Sequence, residues 1–422
     1  MTKQHYKTSM FYMLVLFFTW GFLTELDGAL IPYLKGLFSL NNFQAALVQF
    51  AFFIAFFCVS LPSSWLLNKI GYHRGIVVGL LVMAAGSWLF YPASALISYP
   101  FFLGAIFVLA SGVTLLQVAA NPYVARLGAP EKASNRLNLA QGFNSVAKVI
   151  APLAGSYFIL RGLAGLSPDQ QAEAVQIPYI LLGTLLLTLA IIFSFLKLPE
   201  VVEVPDSDHA DTESIWKQPH LVKGAVAIFL YVGAEVTIAS FLVIYLSENI
   251  FPNLAEYQSY ITGIAAKDDQ IAVFREIGAR YLPFYWGGLM VGRLFGSYIL
   301  KFISSQRLLL ISAVTCIILM LIFNVSDGYL AMWLLITTGL FLSIMWSNIF
   351  TLAIADLGPM TSKGSGILVA AIVGGALIPP LQGLIADSYF GLHNSFLITI
   401  GCFAYIAWYG WKGYRPNQNP SA

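Results

Sequence analysis

LGAPEKASNRLNLA, residues 127–140, returns in altered form as LGPMTSKGSGILVA, residues 357–370, so that position 127 is echoed at 357. Beyond the first copy comes Pro152-Leu-Ala-Gly155, and beyond the second comes Pro380-Leu-Gln-Gly383. A repeat on this scale divides the 422-residue chain into two similar halves. The surrounding sequence says what the halves are made of. It is 58% hydrophobic and only 10% charged, where a soluble globular chain carries about 25% charged residues. Charges this sparse cannot solvate the surface of a soluble enzyme, so an integral membrane protein is expected. The net charge is only +2, without a basic run, and no nucleic-acid partner is expected. Cys58, Cys316 and Cys402 sit far apart in apolar stretches. They imply no disulfide framework and no metal cluster, and no cofactor is expected.

A membrane helix needs about 20 mostly apolar residues to cross roughly 30 Å of hydrocarbon. Twelve such runs are read, at 10–33, 44–67, 75–93, 100–125, 137–161, 177–197, 221–246, 282–302, 306–325, 329–354, 365–387 and 394–412. The first is too long for a cleavable signal and carries Glu25 and Asp27. Lysine and arginine placement sets the orientation. With both termini cytoplasmic, fifteen fall inside, five outside (Lys35, Arg161, Lys267, Arg275, Arg280) and two within spans (Lys148, Arg293), which accounts for all 22. Residues 198–220, LPEVVEVPDSDHADTESIWKQPH, read as a solvated linker. The expected domains are therefore 1–197, a six-helix bundle, and 221–422, a second one, with the linker between them. Residues 248–281 form an external insertion in which ITGIAAKDDQIAVFREIGARY predicts a short surface helix. Six plus six helices related by a parallel repeat is a transporter layout, with its site at mid-membrane between the halves.

Ionisable groups within hydrocarbon are costly unless paired or facing a wet cavity, so each one is a functional candidate. Span one carries Trp20, Thr24, Glu25, Asp27 and Gly28. Glu25 and Asp27 fall about 200° apart on a helix, so one is expected to face the cavity and the other a neighbouring helix, unless Gly28 unwinds the backbone. Span four carries Gln117 and Asn121 on one face, followed by Pro122. Span five carries Asn138, Gln141, Asn144 and Lys148 at spacings that make one polar stripe. Amides offer both donor and acceptor and suit a hydroxyl-rich ligand; the plain alternative is hydrogen bonding between helices. Lys148 is expected to meet Glu25 or Asp27, or else to snorkel to an interface. The second half offers Glu235, Arg293, Trp346, Asn348, Gln382 and Asp387. Arg293 is expected to pair structurally, Glu235 to be a second ion-linked group, and Asp387 to lie at an interface. Trp20, Trp286 and Trp346 are candidates for stacking on the apolar face of a sugar, against ordinary aromatic packing.

Taken together, LVQFAFFIAFF (47–57), IGYHRGIVVGLLVMAAG (70–86), LLQVAANPYVARLG (115–128), RLNLAQGFNS (136–145) and NIFTLAIADLGPMTSKGSGILVAAIVGGALIPPLQG (348–383) carry a resemblance. From about residue 10 to 412 the chain is similar to the fucose/galactose/glucose permease branch of the major facilitator superfamily, and most of all to its bacterial glucose/galactose members. The resemblance implies twelve transmembrane helices in two pseudo-symmetric bundles and import of a hexose or deoxyhexose with a coupling cation. It also implies a monomer in the bacterial inner membrane. Gln141 and Asn144 match residues expected to bond the sugar, Trp20 matches a cavity aromatic, and Trp346 falls where the fucose permease has tyrosine. Gln117 falls where that permease has a titratable glutamate. Span one departs further: family members tend to read Asn-Asp where this chain has Asp27-Gly28, and a neutral residue where it has Glu25.

The coupling ion stays open at this level. Proton coupling needs a poised carboxylate, Glu25 or Asp27. Sodium needs several oxygens, which Asp27, Thr24, Gln49, Gln117 and Asn121 would supply. Permanent neutralisation by Lys148 would leave an uncoupled facilitator. The expected mechanism is alternating access around a monosaccharide held by Gln117, Asn121, Gln141, Asn144 and Asn348, with Trp20 or Trp346 on its face. The loop from Asn68 to Arg74 and its counterpart near Lys301–Arg307 are expected to bridge the halves on the cytoplasmic side. The rivals are a drug or lipid exporter of the same fold, against which the amide stripe argues, and a non-transporting membrane sugar receptor. No nucleophile–base pair is read, so an enzyme is not expected.

Overall fold

The computed structural model describes residues 3–40, 42–155, 170, 173, 175–196, 198–199, 215–264 and 266–416. Among the described residues every regular element is helical. The first half supplies α1 (Lys3–Leu37), α2 (Asn42–Trp88), α3 (Tyr99–Arg126), α4 (Ala133–Gly155) and α5 (Gln176–Phe195). The second supplies α6 (Pro219–Tyr245), α7 (Lys267–Ala279), α8 (Leu282–Ile299), α9 (Ser305–Asn324), α10 (Gly328–Leu342), α11 (Met345–Ala353), α12 (Thr361–Ala370), α13 (Gly374–Ala386) and α14 (Leu397–Trp408).

Bilayer thickness explains most of these lengths. Among the described residues nine helical segments are long and apolar enough to cross a membrane by length and composition. One of them, Leu47–Ala95, has 49 residues and would measure about 74 Å at 1.5 Å per residue, more than two hydrocarbon thicknesses. It is divided at Gly71, whose φ of 78° and ψ of 168° are open to glycine and strained for a residue with a Cβ. Spans two and three are thus two crossings joined at Gly71. α4 is absent from the nine because its amide stripe dilutes the apolar content. Each of the twelve expected runs coincides with helix over its described residues; the end of the fifth, beyond Gly155, and the last residue of the sixth, Lys197, lie outside them. On α5, Ile177, Leu181, Leu185 and Phe195 are exposed. Such an apolar face suits lipid and would be a liability in water.

The chain forms two compact units, Met1–Gln218 with Ile354–Val373, and Pro219–Ala353 with Gly374–Ala422. The junction at 218/219 falls at the end of the expected linker, of which residues 200–214 lie outside the described set. Residues 354–373 belong with the first unit although the repeat places them in the second half. Specific bonds account for this. Pro122 has no N–H to give the Val118 carbonyl one turn back, and the Ser365 hydroxyl donates to that oxygen instead at 3.0 Å. The Ser362 hydroxyl donates to Tyr72 Oη at 3.0 Å, and Arg126 Nη2 donates to the Gly358 carbonyl at 3.0 Å.

The join between α3 and α4 is held by Arg136. Its Nε donates to the Val124 carbonyl at 3.1 Å, its Nη1 to Ala129 at 2.9 Å, and its Nη2 to Ala125. The Val124 and Ala125 carbonyls lie in the last turn of α3, where backbone acceptors run out of partners and a cation meets the negative end of the dipole, and Ala129 lies in the loop beyond it. Burial lowers the Arg136 pKa from its usual value, and neighbouring Tyr6 and Glu131 oppose the shift. At one end of the first unit Phe90 stacks on Tyr179 at 3.9 Å within a core that includes Leu30, Leu34, Phe102 and Ile106.

The second unit contains the insertion at 248–281, and the helix expected within it is α7. Phe274 and Ile277 turn inward, Phe251 packs against Tyr257 and Phe274, and Arg275 pairs with Glu248 at 2.9 Å. Tyr257 and Tyr281 share a hydrogen bond of 2.8 Å, and burial raises the Tyr257 phenol well above its usual pKa. Span ten is interrupted: α10 ends at Leu342, Ser343 and Ile344 form a turn, and α11 starts at Met345. Span eleven is likewise divided, with a tighter turn over Ala371–Val373 between α12 and α13.

Candidate functional site

In the first unit the amide stripe of α4 packs along α1. Gln141 and Asn144 are 7% and 2% exposed, and Trp20 on α1 is 3% exposed. Asn144 Nδ2 donates to the Phe17 carbonyl of α1 at 3.0 Å. Trp20 lies against Phe17 with ring centroids 4.0 Å apart. Gly21 makes this approach possible, because a Cβ there would stand 2.5 Å from both Asn144 Nδ2 and the Asn144 carbonyl oxygen. One amide of the stripe therefore serves the contact between helices at the same place where it was expected to serve a ligand. Asn138 spends its Nδ2 within α4, on the Ser134 carbonyl at 2.9 Å.

Asn121 is the most telling polar group on α3. It is fully buried, and neither Nδ2 nor Oδ1 has a hydrogen-bond partner among the described residues. An unsatisfied buried amide costs about 1–3 kcal/mol, which a hydrogen-bonding ligand or water would offset. Gln117, one turn before it, is half-buried.

The coupling candidates divide differently. α1 is continuous through residues 24–28, so Gly28 does not unwind it and Glu25 and Asp27 stay about 200° apart around the axis. Glu25 is half-buried and engaged, and Lys148 likewise; the side chain of Asp27 lies outside the described residues. The Thr24 hydroxyl donates to the Trp20 carbonyl at 2.7 Å and also approaches Gly21 O at 3.1 Å. Gln49 is exposed. Among the described residues no group of three or more His, Cys, Asp or Glu is arranged to hold a metal ion.

The second unit brings Glu235 and Arg293 together. Glu235 is on α6 and Arg293 on α8, with Nη2 to Oε1 at 3.6 Å and side chains 11% and 7% exposed. Tyr285, a fully buried residue of α8, donates its hydroxyl to the Glu235 backbone carbonyl at 3.0 Å. Arg293 Nε donates to the Ser343 carbonyl at 3.1 Å. Trp346 and Asn348 follow on α11, Trp346 stacked on Phe350 at 5.0 Å and Asn348 Nδ2 directed at the Ser305 carbonyl at 3.4 Å. Gln382 on α13 is buried and bonds Ser395 at 3.1 Å. Trp286, on α8, has its ring 5.4 Å from that of Tyr285, the ordinary aromatic packing.

Sequence reading missed Ser362 and Ser365. The proline at 122 was the available signal, since it announces a carbonyl at 118 that needs another donor. It also missed the α8 glycines at 288, 292 and 296, whose spacing of four marks a face for close helix approach.

A family model described as the Major Facilitator Superfamily matches residues 10–372. The chain is 46% identical over 415 residues to a "Glucose/galactose transporter" of Brucella abortus biovar 1 (strain 9-941), covering 98% of this chain and 96% of that one. It is 40% identical over 415 residues to a "Putative glucose/galactose transporter" of Helicobacter pylori (strain ATCC 700392 / 26695), covering 96% of each. Among solved structures it is similar to a crystal structure of the E. coli fucose:proton symporter FucP, with TM-score 0.84, 28% identity, and coverage of 96% of this chain and 98% of that one.

Proposed function

The chain belongs to the Major Facilitator Superfamily, and from that premise we propose that it imports a hexose of the glucose/galactose type together with a proton, by alternating access. The observation that carries this reading is the buried amide set on α3 and α4. Asn121 has both amide atoms unsatisfied, Gln141 and Asn144 are buried, and Asn144 meets α1 at Phe17 and Gly21, on either side of Trp20. Amides that can each give and accept a hydrogen bond, flanked by an aromatic face, suit a ring of hydroxyls with an apolar C–H side. In the second unit Trp346 and Asn348 supply the same two chemistries. An exporter of greasy substrates would have no use for such a set, and the relatives above are named as sugar transporters.

A proton is favoured over sodium for two reasons. The structural relative is named a proton symporter. Among the expected sodium ligands Gln49 is exposed while Asn121 is fully buried, so the two are ill suited to share one shell of about six oxygens. Glu25 or Asp27 then carries the proton, and protonation removes a buried charge before the sugar-loaded carrier reorients. Uncoupled facilitation is a second reading with one observation in its favour: Gln117 is neutral where the resemblance places a glutamate in fucose permeases. The protein works in the bacterial inner membrane with both termini cytoplasmic, as a monomer.

Tryptophan fluorescence of the purified protein, titrated with D-glucose, D-galactose and L-fucose, tests the reading. Saturable quenching by a hexose that Gln141→Ala abolishes supports it. A receptor would bind but show no counterflow in proteoliposomes. An exporter would respond to none of the three sugars.

A further inference from the structure

The run that forms span ten, GYLAMWLLITTGLFLSIMWSNIFTLA at residues 328–353, contains no proline, yet the helix is interrupted at Ser343–Ile344. Interruptions have identifiable causes, and here the cause comes from α8. Gly288, Gly292 and Gly296 run along one face of that helix. A Cβ on Gly292 would collide with Ser343 Oγ and the Leu340 carbonyl, and one on Gly296 would collide with Ile344 Cγ2. The two backbones therefore touch at the interruption. Between those glycines Arg293 reaches the Ser343 carbonyl through Nε at 3.1 Å. That oxygen lies at the C-terminal end of α10, where the helix dipole favours a cation.

We propose that Arg293 is a positioning residue for transport: it holds span ten at its interruption and thereby fixes Trp346 and Asn348, three and five residues farther on, while Glu235 holds Arg293. The proposal rests on the sugar-transport reading above, which gives Trp346 and Asn348 their role. Joining two helices does not require an ion pair. Replacing a buried pair with apolar groups of equal volume is often neutral or stabilising, and a charge inside hydrocarbon is costly. What the guanidinium adds is direction. Its planar fork keeps Nε–H on one carbonyl while an Nη faces a carboxylate. Glu235 is itself held at its backbone carbonyl by Tyr285, at 3.0 Å, so the chain Tyr285–Glu235–Arg293–Ser343 starts on α8, passes through α6 and returns by α8 to the turn before Trp346.

Two variants test this. Arg293→Lys keeps a cation for Glu235 but loses the Nε–H and the fork. Glu235→Gln with Arg293→Met removes both charges and keeps the apolar stem. Each is measured for hexose uptake into proteoliposomes and for hydrogen–deuterium exchange over residues 340–350, which needs no substrate. The expected result is wild-type yield for Arg293→Lys, with an unfolding temperature lowered by no more than the loss of one hydrogen bond produces. Its half-saturation concentration should rise about tenfold with maximal rate within about twofold, and exchange at 343–348 should be faster. The double variant should show the same rise, because neutralising the pair does not restore the grip on Ser343. Wild-type half-saturation and wild-type exchange in Arg293→Lys, or recovery of both in the double variant, overturns the proposal. If the wild-type protein itself takes up no hexose, the transport reading fails, and the exchange data alone decide whether Arg293 holds the turn.

Discussion

Gly21→Ala should separate the α1–α4 contact from every other feature of the first unit. The added Cβ would stand 2.5 Å from the Asn144 carbonyl oxygen and 2.5 Å from its Nδ2, about 0.9 Å inside the 3.4 Å at which ordinary contact begins. The amide could rotate away, but the carbonyl is backbone, so α4 must retreat from α1 by most of that distance. Overpacking of this kind costs about 1–3 kcal/mol. Losing the Asn144 to Phe17 hydrogen bond adds about 1 kcal/mol. The variant should therefore lose about 2–4 kcal/mol of stability, and because the retreat carries Asn144 away from its proposed place at the sugar, the half-saturation concentration for hexose should rise about tenfold, the equivalent of about 1.4 kcal/mol of binding. Thermal unfolding in detergent gives the first number and proteoliposome uptake the second. Gly104→Ala is the control: its Cβ would meet nothing within 4 Å, and it should leave both quantities unchanged. Gly21→Ala with wild-type stability and wild-type half-saturation would refute the packing argument, and with it the placement of Asn144 at the seam.

Ser365→Ala should cost about 1 kcal/mol, the net value of a hydrogen bond. Most of that loss should vanish in a Pro122→Ala background, where an N–H returns to the Val118 carbonyl; additive losses in thermal unfolding would contradict the shared-acceptor account. Arg136→Lys should destabilise by about 3 kcal/mol despite its preserved charge, because one ammonium cannot serve three carbonyls spread over Val124–Ala129; an unfolding temperature equal to wild type would count against the cap. Asn121→Leu should stabilise the protein by about 1 kcal/mol or more, as it removes a buried unsatisfied amide, while hexose uptake falls steeply; loss of stability with uptake retained would mean the amide is structural.

How much of this was legible in the sequence depends on the range of the cause. The twelve apolar runs follow from bilayer thickness, a constraint each segment meets alone, and each run coincides with helix. The amide stripe was legible for the same reason, since helical periodicity is local. The division of labour within it was not. Whether Asn144 faces a ligand or the Phe17 carbonyl depends on α1 coming close at Gly21, which no spacing on α4 encodes. The interruption at Ser343–Ile344 was hidden too, because the α8 residues that meet it, Gly292, Arg293 and Gly296, lie about fifty residues earlier. Glu235 was read as an ion-linked group on its own, and the geometry gives it Arg293 as a partner. The grouping of residues 354–373 with the first unit depends on hydroxyl bonds made by Ser362 and Ser365, and small residues carry little signal before their acceptors are known.

The most direct test of the whole account is accumulation of radiolabelled D-glucose in proteoliposomes under an imposed proton gradient, alkaline inside, compared with a sodium gradient and with none. The account predicts uphill accumulation with the proton gradient alone, collapse on adding a protonophore, and loss of accumulation in Gln141→Ala. Accumulation driven by sodium, or glucose entry that never exceeds equilibrium under any gradient, would contradict it.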